Sequence, residues 1–223
     1  MRVFVSGGCK NGKSYYAQRL AVKQGKQGDG SPAWVQGKQG DGSPAWVQGG
    51  KQEDGSPTLL PLYYIATMRP ADAEDDIRIA RHREDREGWG FTTLEQPSCI
   101  ESILEKCDTR GSFLIDSLTA LLANEMFPPD GGVNERAAEG IAEGLTRVMS
   151  GIENIVIVSD YIYSDAKVYD PLTEMYRMSL AGLDRAAAKG CDAVIEVAYA
   201  GVIVHKSDDM GKFIQSLGAL CSK

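Results

Sequence analysis

The sequence predicts an α/β fold, with a mostly parallel β-sheet that is covered by helices on both faces. Two observations carry this prediction: strand-like and helix-like segments alternate along the chain, and the first strand-like segment runs into a glycine-rich turn before the first helix. The chain has 223 residues, 43% hydrophobic and 25% charged, which is typical of a globular protein. Its net charge of −7 argues against binding nucleic acid or an anionic membrane through bulk charge.

The predicted strands are short runs rich in β-branched and aromatic residues, most of which end at a polar residue or a glycine. In chain order they are Arg2–Ser6, Leu60–Ala66, Phe91–Leu94, Ser112–Asp116, Asn154–Ser159, Ala193–Ala198 and Val202–Lys206. Because helical segments separate almost all of them, the strands are expected to be parallel neighbours rather than hairpins.

The predicted helices have apolar residues at three- and four-residue spacing, except for the second, which is mostly charged. In chain order they are Lys13–Lys23, Asp75–Glu87, Ile100–Cys107, Leu118–Met126, Asn134–Ser150, Pro171–Lys189 and one near Met210–Leu220. No apolar run is long enough to span a bilayer, and the first residues show no signal-peptide pattern. We therefore expect a cytoplasmic protein.

A twelve-residue unit is repeated after the first helix. The unit Gln24–Val35 recurs unchanged as Gln36–Val47, and a third, altered copy covers Gln48–Leu59. Each copy contains the turn-forming sequence Asp-Gly-Ser-Pro and too few apolar residues for a core. We therefore predict a single domain over residues 1–223 with a disordered low-complexity insertion at 24–59. The alternative is that the two tryptophans of the repeat form a docking element.

The segment Gly7–Ser14 matches G-x-x-x-x-G-K-[ST] at every fixed position, and it lies between a strand and a helix, where that motif binds phosphate. Glycines let backbone N–H groups close around phosphate oxygens, and the first amides of the following helix point at the same anion. Lys13 is expected to neutralise the β- and γ-phosphates, and Ser14 to bind Mg²⁺. The candidate nucleotide-binding residues of this segment are Gly7, Gly8, Cys9, Lys10, Asn11, Gly12, Lys13 and Ser14. The sequence thus predicts a P-loop NTPase-like three-layer fold that takes ATP or GTP as substrate.

A second metal ligand is expected at the end of a strand near the P-loop. Asp116 follows a buried strand and is the preferred candidate; the weaker candidate, Asp160, follows another strand. Asp116 could equally be the N-cap of the next helix, although Ser117 could fill that position instead. The five cysteines are scattered without a C-x-x-C pair, so neither a disulfide framework nor a zinc cluster is expected.

The chain has two histidines, His82 and His205. On its predicted helix His82 shares a face with Arg78, Asp85 and Arg86. A solvated polar face is one interpretation. The other is a phosphoryl acceptor, with the arginines holding a triphosphate while neutral imidazole attacks it. His205 lies in an apolar run and is expected to be a strand residue.

Several segments together resemble the bifunctional adenosylcobinamide kinase / adenosylcobinamide-phosphate guanylyltransferase family of cobalamin biosynthesis. The P-loop occurs in many families, whereas residues 75–97 resemble the family's R-I-x-x-H-[RK] helix and the W-x-T-x-E segment after it, a more specific combination. The resemblance also includes YYIAT at Tyr63–Thr67, LIDSLTALLANEMF at Leu114–Phe127, NIVIVS at Asn154–Ser159 and DAVIEVAYAGVIVHK at Asp192–Lys206.

The resemblance implies two reactions in a P-loop protein that forms trimers. A nucleoside triphosphate phosphorylates the aminopropanol hydroxyl of adenosylcobinamide; GTP then guanylylates a histidine, and GMP passes to the new phosphate to give adenosylcobinamide-GDP. On this basis His82 is the guanylylated residue and Glu95 contacts the nucleotide. Thr67 and Met68 would lie beside the bound GTP, and Asp116 would match the family's acidic residue.

Two segments depart from the family pattern. The family typically has N-E-V-G where this chain has residues 160–165, and F-R-D-x-x-G-x-x-N where it has residues 176–184. In the second segment only Arg177 keeps its identity, with Tyr176 and Asp184 as approximate substitutes. Two alternatives to the bifunctional enzyme therefore stay open: a small-molecule kinase without guanylyltransferase activity, and a degenerate nucleotide-binding regulatory or scaffold protein.

Overall fold

The structure is a computed structural model that describes residues 1–25, 60–70, 72–199 and 201–209. Its strands are β1 (Arg2–Gly7), β2 (Leu62–Ala66), β3 (Thr92–Glu95), β4 (Ser112–Asp116), β5 (Asn154–Asp160), β6 (Ala193–Ala198) and β7 (Gly201–Ser207). Its helices are α1 (Lys13–Gly25), α2 (Ala73–Asp85), α3 (Ile103–Lys106), α4 (Leu118–Met126), α5 (Ala137–Gly151) and α6 (Pro171–Gly190), with a 3₁₀ turn at Ile100–Ser102. The predicted α/β fold is confirmed.

The seven strands form one sheet in the order β3-β2-β4-β5-β1-β6-β7. All neighbouring strands are parallel except β6 and β7, which are antiparallel. In this register Gly7 at the end of β1 lies opposite Asp160 at the end of β5. The carboxyl ends of β1, β5, β4 and β2 therefore meet at one edge of the sheet, which is where ligands bind in open α/β sheets.

Both faces of the sheet are buried. Side chains of β1, β4 and β5 on one face pack with Leu20 and its neighbours on α1. On the other face Phe4, Phe113 and Ile157 pack with α4, α5 and α6. Leu121 of α4 is fully buried in this second core. Each fully buried aliphatic or aromatic side chain contributes about 1.5–3 kcal/mol of transfer free energy. Burial on both faces explains why β4 and β5 are almost uninterrupted apolar runs.

Most element bounds lie close to the predicted ones, and β4, α4 and β6 coincide with them. Helix α2 begins at Ala73, earlier than predicted, because the Asp72 carboxylate accepts hydrogen bonds from the Glu74 and Asp75 amides and caps the helix. Helix α5 begins at Ala137, later than predicted.

Helix α1 continues to Gly25, two residues into the first copy of the repeat. The rest of the predicted insertion, residues 26–59, and the helix predicted near Met210–Leu220 lie outside the described residues. Among the described helices, none combines the length and the apolarity needed to cross a membrane.

Candidate active site

The P-loop connects β1 to α1, as the sequence predicts, and its backbone needs the glycines. Gly12 has φ = +87°, in the left-handed region that favours glycine. A Cβ atom on Gly7 would lie 2.5 Å from the carbonyl oxygen of Val197 and would also meet the Asn11 amide. The Asn11 side chain joins the loop to β6 and to the start of α1: its Nδ2 donates to Val197 O, and its Oδ1 accepts from Lys13 N at 3.1 Å. Asn11 thus holds the loop against β6.

Lys13 occupies the centre of this loop and is largely buried. Its Nζ lies 2.5 Å from Asp160 Oδ1 and donates a hydrogen bond to Gly8 O at 3.3 Å. The contact follows from the topology, because β5 pairs directly with β1. Gly8, Cys9 and Lys10 are exposed around it, so the mouth of the loop is open to a ligand.

A cavity of about 360 Å³ lies at the same edge of the sheet. It is bounded by the ends of β2, β3 and β4 and by α2 and the start of α4. Its lining residues are Tyr64, Ala66, Met68, Pro70, Asp76, Ile79, Ala80, His82, Arg83, Arg86, Thr93, Glu95, Asp116, Ser117 and Ala120. Four sequence candidates, Met68, His82, Glu95 and Asp116, are therefore brought together here. One strand, β5, separates β4 from the P-loop strand β1.

Two arginines supply positive charge to this cavity. Arg86 is largely buried, and its guanidinium lies 3.6 Å from the centre of the Tyr64 ring. Arg83 Nη2 lies 2.8 Å from Glu95 Oε1, and both of these side chains are mostly exposed. Because Arg86 is four residues after His82 on α2, one turn of helix presents the imidazole and this guanidinium to the same space.

Tyr64, which is buried, and Asp116, which is half-buried, form a hydrogen-bonded pair in the lining of the cavity. The Tyr64 hydroxyl donates to Asp116 Oδ2 at 2.8 Å. Burial raises the pKa of Tyr64 well above its usual value; the negative charge of Asp116 raises it further, and Arg86 opposes the shift. Tyr64 therefore stays a neutral donor and holds the Asp116 carboxylate in one orientation.

Thr67 and Ser117 join the ends of β2 and β4. Ser117 is the N-cap of α4, with its Oγ accepting from Ala120 N at 3.4 Å, so of the two roles open to Asp116 the capping role belongs to its neighbour. The fully buried Thr67 bonds through its hydroxyl to the Ser117 backbone. Thr67 does not line the cavity, whereas Met68, the next residue, does.

The two segments that depart from the family pattern bond to each other. Arg177, on α6, is largely buried and donates to Ile162 O at 3.1 Å and to Asp165 Oδ1 at 2.8 Å. The Tyr163 hydroxyl donates to Asp184 Oδ2 at 3.1 Å. Burial raises the pKa of Asp184 to about 7. The substituted residues thus form a connected network beside the end of β5.

His205 lies on β7 as predicted, and its Nε2 is 2.9 Å from Glu196 Oε2 of β6. It belongs to the antiparallel edge of the sheet and does not line the cavity. Of the helical face predicted around His82, Arg86 is described at the cavity, while the side chains of Arg78 and Asp85 lie outside the described residues.

Sequence reasoning missed two participants in these sites, Tyr64 and Arg83, and one contact, between Lys13 and Asp160. Tyr64 belongs to an apolar run and gave no sign of a polar contact. Arg83 follows His82 directly, so helical spacing places it about 100° away, and only the curvature of the cavity brings it in. Asp160 was the weaker metal candidate, and the structure places it on Lys13. The adjacency of β5 and β1 was the missing information.

Residues 54–205, more than half of the chain, match the model of the CobU family, described as cobinamide kinase / cobinamide phosphate guanyltransferase. The chain belongs to this family. It is accordingly a transferase of the kinase and guanylyltransferase type that uses nucleoside triphosphates. The resemblance stated from the sequence is thereby confirmed.

A curated relative and two solved structures are also similar to this CobU-family chain. The bifunctional adenosylcobalamin biosynthesis protein CobP of Pseudomonas aeruginosa is 26% identical over 196 residues, which cover 87% of this chain and 91% of the relative. The KaiC-like protein PH0186 of Pyrococcus horikoshii OT3 gives a TM-score of 0.44 at 11% identity, covering 93% of this chain and 80% of its own. A second structure from that organism, PH0250, gives 0.43 at 10% identity, covering 94% and 88%.

Within the residues that the structure describes, no cluster of three or more His, Cys, Asp and Glu side chains could hold a metal ion. A metal at the P-loop would instead need hydroxyl and phosphate oxygens. Ser14 lies at the start of α1, and Asp116 ends β4 at the same edge of the sheet, whereas the Asp160 carboxylate is paired with Lys13. Ser14 and Asp116 are therefore the residues considered for the ion. Their oxygens are the hard ligands that Mg²⁺ prefers, so these residues fit that ion.

Proposed function

We propose that this protein phosphorylates adenosylcobinamide with a nucleoside triphosphate and then transfers GMP from GTP, through a guanylylated His82, to adenosylcobinamide phosphate. The observation that carries the proposal is that His82, Arg86, Glu95 and Asp116 line one cavity close to a complete P-loop. Family membership and the bifunctional relative support the pair of reactions.

The kinase half takes place at the P-loop. Backbone amides of Gly7–Ser14 and the start of α1 hold the phosphates, and Lys13 exchanges its contact with Asp160 for the β- and γ-phosphate oxygens. The corrinoid hydroxyl oxygen attacks the γ-phosphorus, the bond from that phosphorus to the bridging oxygen breaks, and the nucleoside diphosphate leaves. ATP and GTP both fit this half, because the loop holds phosphate through its backbone.

The guanylyl half takes place in the cavity. A neutral imidazole nitrogen of His82 attacks the α-phosphorus of GTP, so a P–N bond forms, the bond to the bridging oxygen breaks and pyrophosphate leaves. Arg83 and Arg86 stabilise the charge that develops on the phosphate oxygens. Met68 and Glu95 contact the nucleotide. A phosphate oxygen of adenosylcobinamide phosphate then displaces His82, which yields the diphosphate bridge of adenosylcobinamide-GDP.

Mg²⁺ is proposed to be held by Ser14 and Asp116 and, when bound, to neutralise phosphate charge. The Tyr64 hydroxyl keeps the Asp116 carboxylate oriented for this role. Thr67 bonds to Ser117 and so joins the ends of β2 and β4 next to Asp116. Removal of Mg²⁺ with a chelator is therefore expected to abolish both reactions, whereas the fold, which rests on two apolar cores, remains.

The remaining proposals rest on the resemblance and the sequence. We propose a cytoplasmic homo-oligomer, a trimer as the resemblance implies, built from one P-loop transferase domain per chain over residues 1–223. The repeat at 24–59 is proposed to be an insertion that takes no part in either reaction. Its deletion is expected to leave cobinamide phosphorylation unchanged.

The test is formation of a covalent GMP adduct. Purified protein is incubated with Mg²⁺ and GTP labelled at the α-phosphate, and acid-labile, base-stable label on the protein is measured. His82→Ala is expected to lose the label, and His205→Ala, which removes the other histidine of the chain, to keep it. Equal labelling of the His82→Ala variant would contradict the assignment.

The same assay, run with cobinamide present, separates the alternatives. Phosphorylated cobinamide without an adduct would indicate a small-molecule kinase that lacks guanylyl transfer. GTP binding without turnover of any corrinoid would indicate a regulatory or scaffold protein.

A further inference from the structure

In the proposed function Asp160 serves only as the partner of Lys13 before nucleotide binds. A second role for Asp160, which rests on that proposed function, follows from its position. Its carboxylate is 2.5 Å from the Lys13 ammonium, the group that is to neutralise the phosphate being transferred. The carboxylate therefore already lies within a few ångströms of the place that the γ-phosphate will occupy.

The backbone of Asp160 is fixed independently of Lys13. Asp160 N donates to Thr119 Oγ1 at 2.9 Å, and the next amide, Tyr161 N, donates to Gly7 O at 2.9 Å. These two bonds tie the end of β5 to α4 on one side and to the P-loop on the other. The backbone position of Asp160 therefore does not depend on the contact with Lys13.

Nucleotide binding leaves the Asp160 carboxylate without its cationic partner, Lys13. Its ammonium partner turns to the phosphates, and a carboxylate facing phosphate oxygens without a proton or cation between them is repelled. The substrate hydroxyl carries a proton, and in-line transfer brings it to the γ-phosphorus opposite the leaving nucleoside diphosphate. A hydrogen bond from that hydroxyl to Asp160 removes the repulsion and points the oxygen at the phosphorus.

At this position the chain departs from the family pattern given with the resemblance. The family pattern N-E-V-G has an amide at the position of Asp160 and its carboxylate one residue later, where this chain has Tyr161. Tyr161 is half exposed, and its ring contacts Tyr163 with 4.7 Å between ring centres. The acid of this loop is thus moved onto the strand end that faces Lys13, and an aromatic surface takes the next position.

We propose that Asp160 is the general base of the kinase reaction. As the corrinoid oxygen forms its bond to the γ-phosphorus and the bond to the leaving nucleoside diphosphate breaks, the hydroxyl proton passes to the Asp160 carboxylate. The proton is released to water after the products leave. Charge and atoms balance with the nucleotide and the alcohol as the sole reactants.

The test compares Asp160→Asn with wild type in the full chain, using adenosylcobinamide with ATP or GTP and Mg²⁺. General-base removal is expected to lower kcat for phosphorylation by about 100-fold or more. The nucleotide Kd should not weaken, because the substitution removes the group that competes for Lys13. GMP labelling of His82 should be unchanged, which shows that the variant is folded. Asp208→Asn, an exposed carboxylate after β7, is the matched control and should retain wild-type kcat.

A pH profile separates proton transfer from positioning. Wild-type kcat should fall on the acid side as a carboxylate becomes protonated, and this limb should be absent in Asp160→Asn. The charged or titratable groups that face Asp160 are Lys13 from α1 and Tyr176 and Asp184 from α6. An acid limb that persists in Asp160→Asn and vanishes in Asp184→Asn would overturn the assignment.

Three further outcomes would overturn either this proposal or the proposed function. A kcat for Asp160→Asn close to that of wild type would overturn the proposal, and so would a variant in which nucleotide binding and His82 labelling fail together with phosphorylation. Wild-type protein that binds nucleotide and yet phosphorylates no corrinoid would instead overturn the proposed function on which this inference rests.

Discussion

The Thr67 hydroxyl bonds twice to one residue, donating to Ser117 O at 2.7 Å and accepting from Ser117 N at 2.7 Å. Thr67 N also donates to Asp116 O, and Asn124 Nδ2 donates to Thr67 O. The ends of β2 and β4 are therefore joined through side chain and backbone directly under the Asp116 carboxylate. Thr67 does not line the cavity but joins the two strand ends next to it, and the neighbouring residue Met68 lines the cavity.

Replacing Thr67 by Val should destabilise the protein. The shape is nearly kept, but the half-buried Ser117 amide loses its acceptor, whereas Ser117 O keeps the hydrogen bond from Leu121 N. The loss should cost about 1–3 kcal/mol. Equilibrium denaturation should show this loss in the free energy of unfolding. Thr67→Ser, which keeps the hydroxyl, should lose clearly less, and equal losses in the two variants would contradict the role assigned to the hydroxyl.

Arg83→Ala should impair guanylylation without affecting stability. The Arg83–Glu95 pair is 60% and 69% exposed, so it contributes at most about 1 kcal/mol to folding. A charge-assisted bond to phosphate is worth more, and the rate of His82 labelling at low GTP should fall by about tenfold or more. Arg136→Ala is the control, because Arg136 also forms an exposed pair but does not line the cavity. Unchanged labelling in Arg83→Ala would remove Arg83 from the site.

Two adjacent glycines should differ sharply. Gly7→Ala places a Cβ atom 2.5 Å from the carbonyl oxygen of Val197, so the P-loop or β6 must shift, at a cost of about 1–3 kcal/mol. A Cβ atom on Gly8 has no atom within 4 Å, so Gly8→Ala should change the free energy of unfolding by less than about 1 kcal/mol. Thermal and urea denaturation of the two variants measure the difference, which would be absent if the loop were not packed against β6.

The fold could be predicted from the sequence because local patterns agree with the final topology. The run that forms β4 is apolar and short, and Ser117 directly after Asp116 is a good helix cap, so the end of β4 and the start of α4 follow. The P-loop was readable for the same reason, since its glycines, lysine and serine are contiguous in the chain. The earlier start of α2, at Ala73 rather than Asp75, does not follow from the predicted pattern, because it depends on the capping role of Asp72.

The rest of the site depends on strand order, which alternation of helices and strands does not specify. The contact of Lys13 with Asp160 requires β5 to lie beside β1. This strand order is known only from the folded structure. The same holds for the stacking of Arg86 on Tyr64, which come from α2 and β2. Single-residue candidates were therefore readable from the sequence, whereas their partners were not.

Asp184 should make stability depend on pH. Burial raises its pKa to about 7 in the folded protein, above the value of the unfolded chain, so the folded state keeps a proton that the unfolded state has lost between pH 4 and pH 7. The contribution of Asp184 to the free energy of unfolding of the wild type is thus greatest below about pH 4, and it falls as the pH rises towards 7.

Asp184→Asn should remove this dependence. Its free energy of unfolding, relative to wild type, should rise by about 2 kcal/mol or more between pH 4 and pH 8, since each pKa unit corresponds to about 1.4 kcal/mol. The Tyr163 hydroxyl can still donate to the amide oxygen, so the contact is kept. A relative stability that stays constant over this range would show that Asp184 titrates normally.

The central claim is that His82 carries GMP from GTP to the corrinoid, and the most direct measurement is a single-turnover transfer. Protein labelled with GMP is freed of nucleotide and mixed with adenosylcobinamide phosphate, and the label is followed with time. We expect the label to leave the peptide that contains His82 and to appear in adenosylcobinamide-GDP. Label that stays on the protein, or that leaves only as free GMP, would contradict the account.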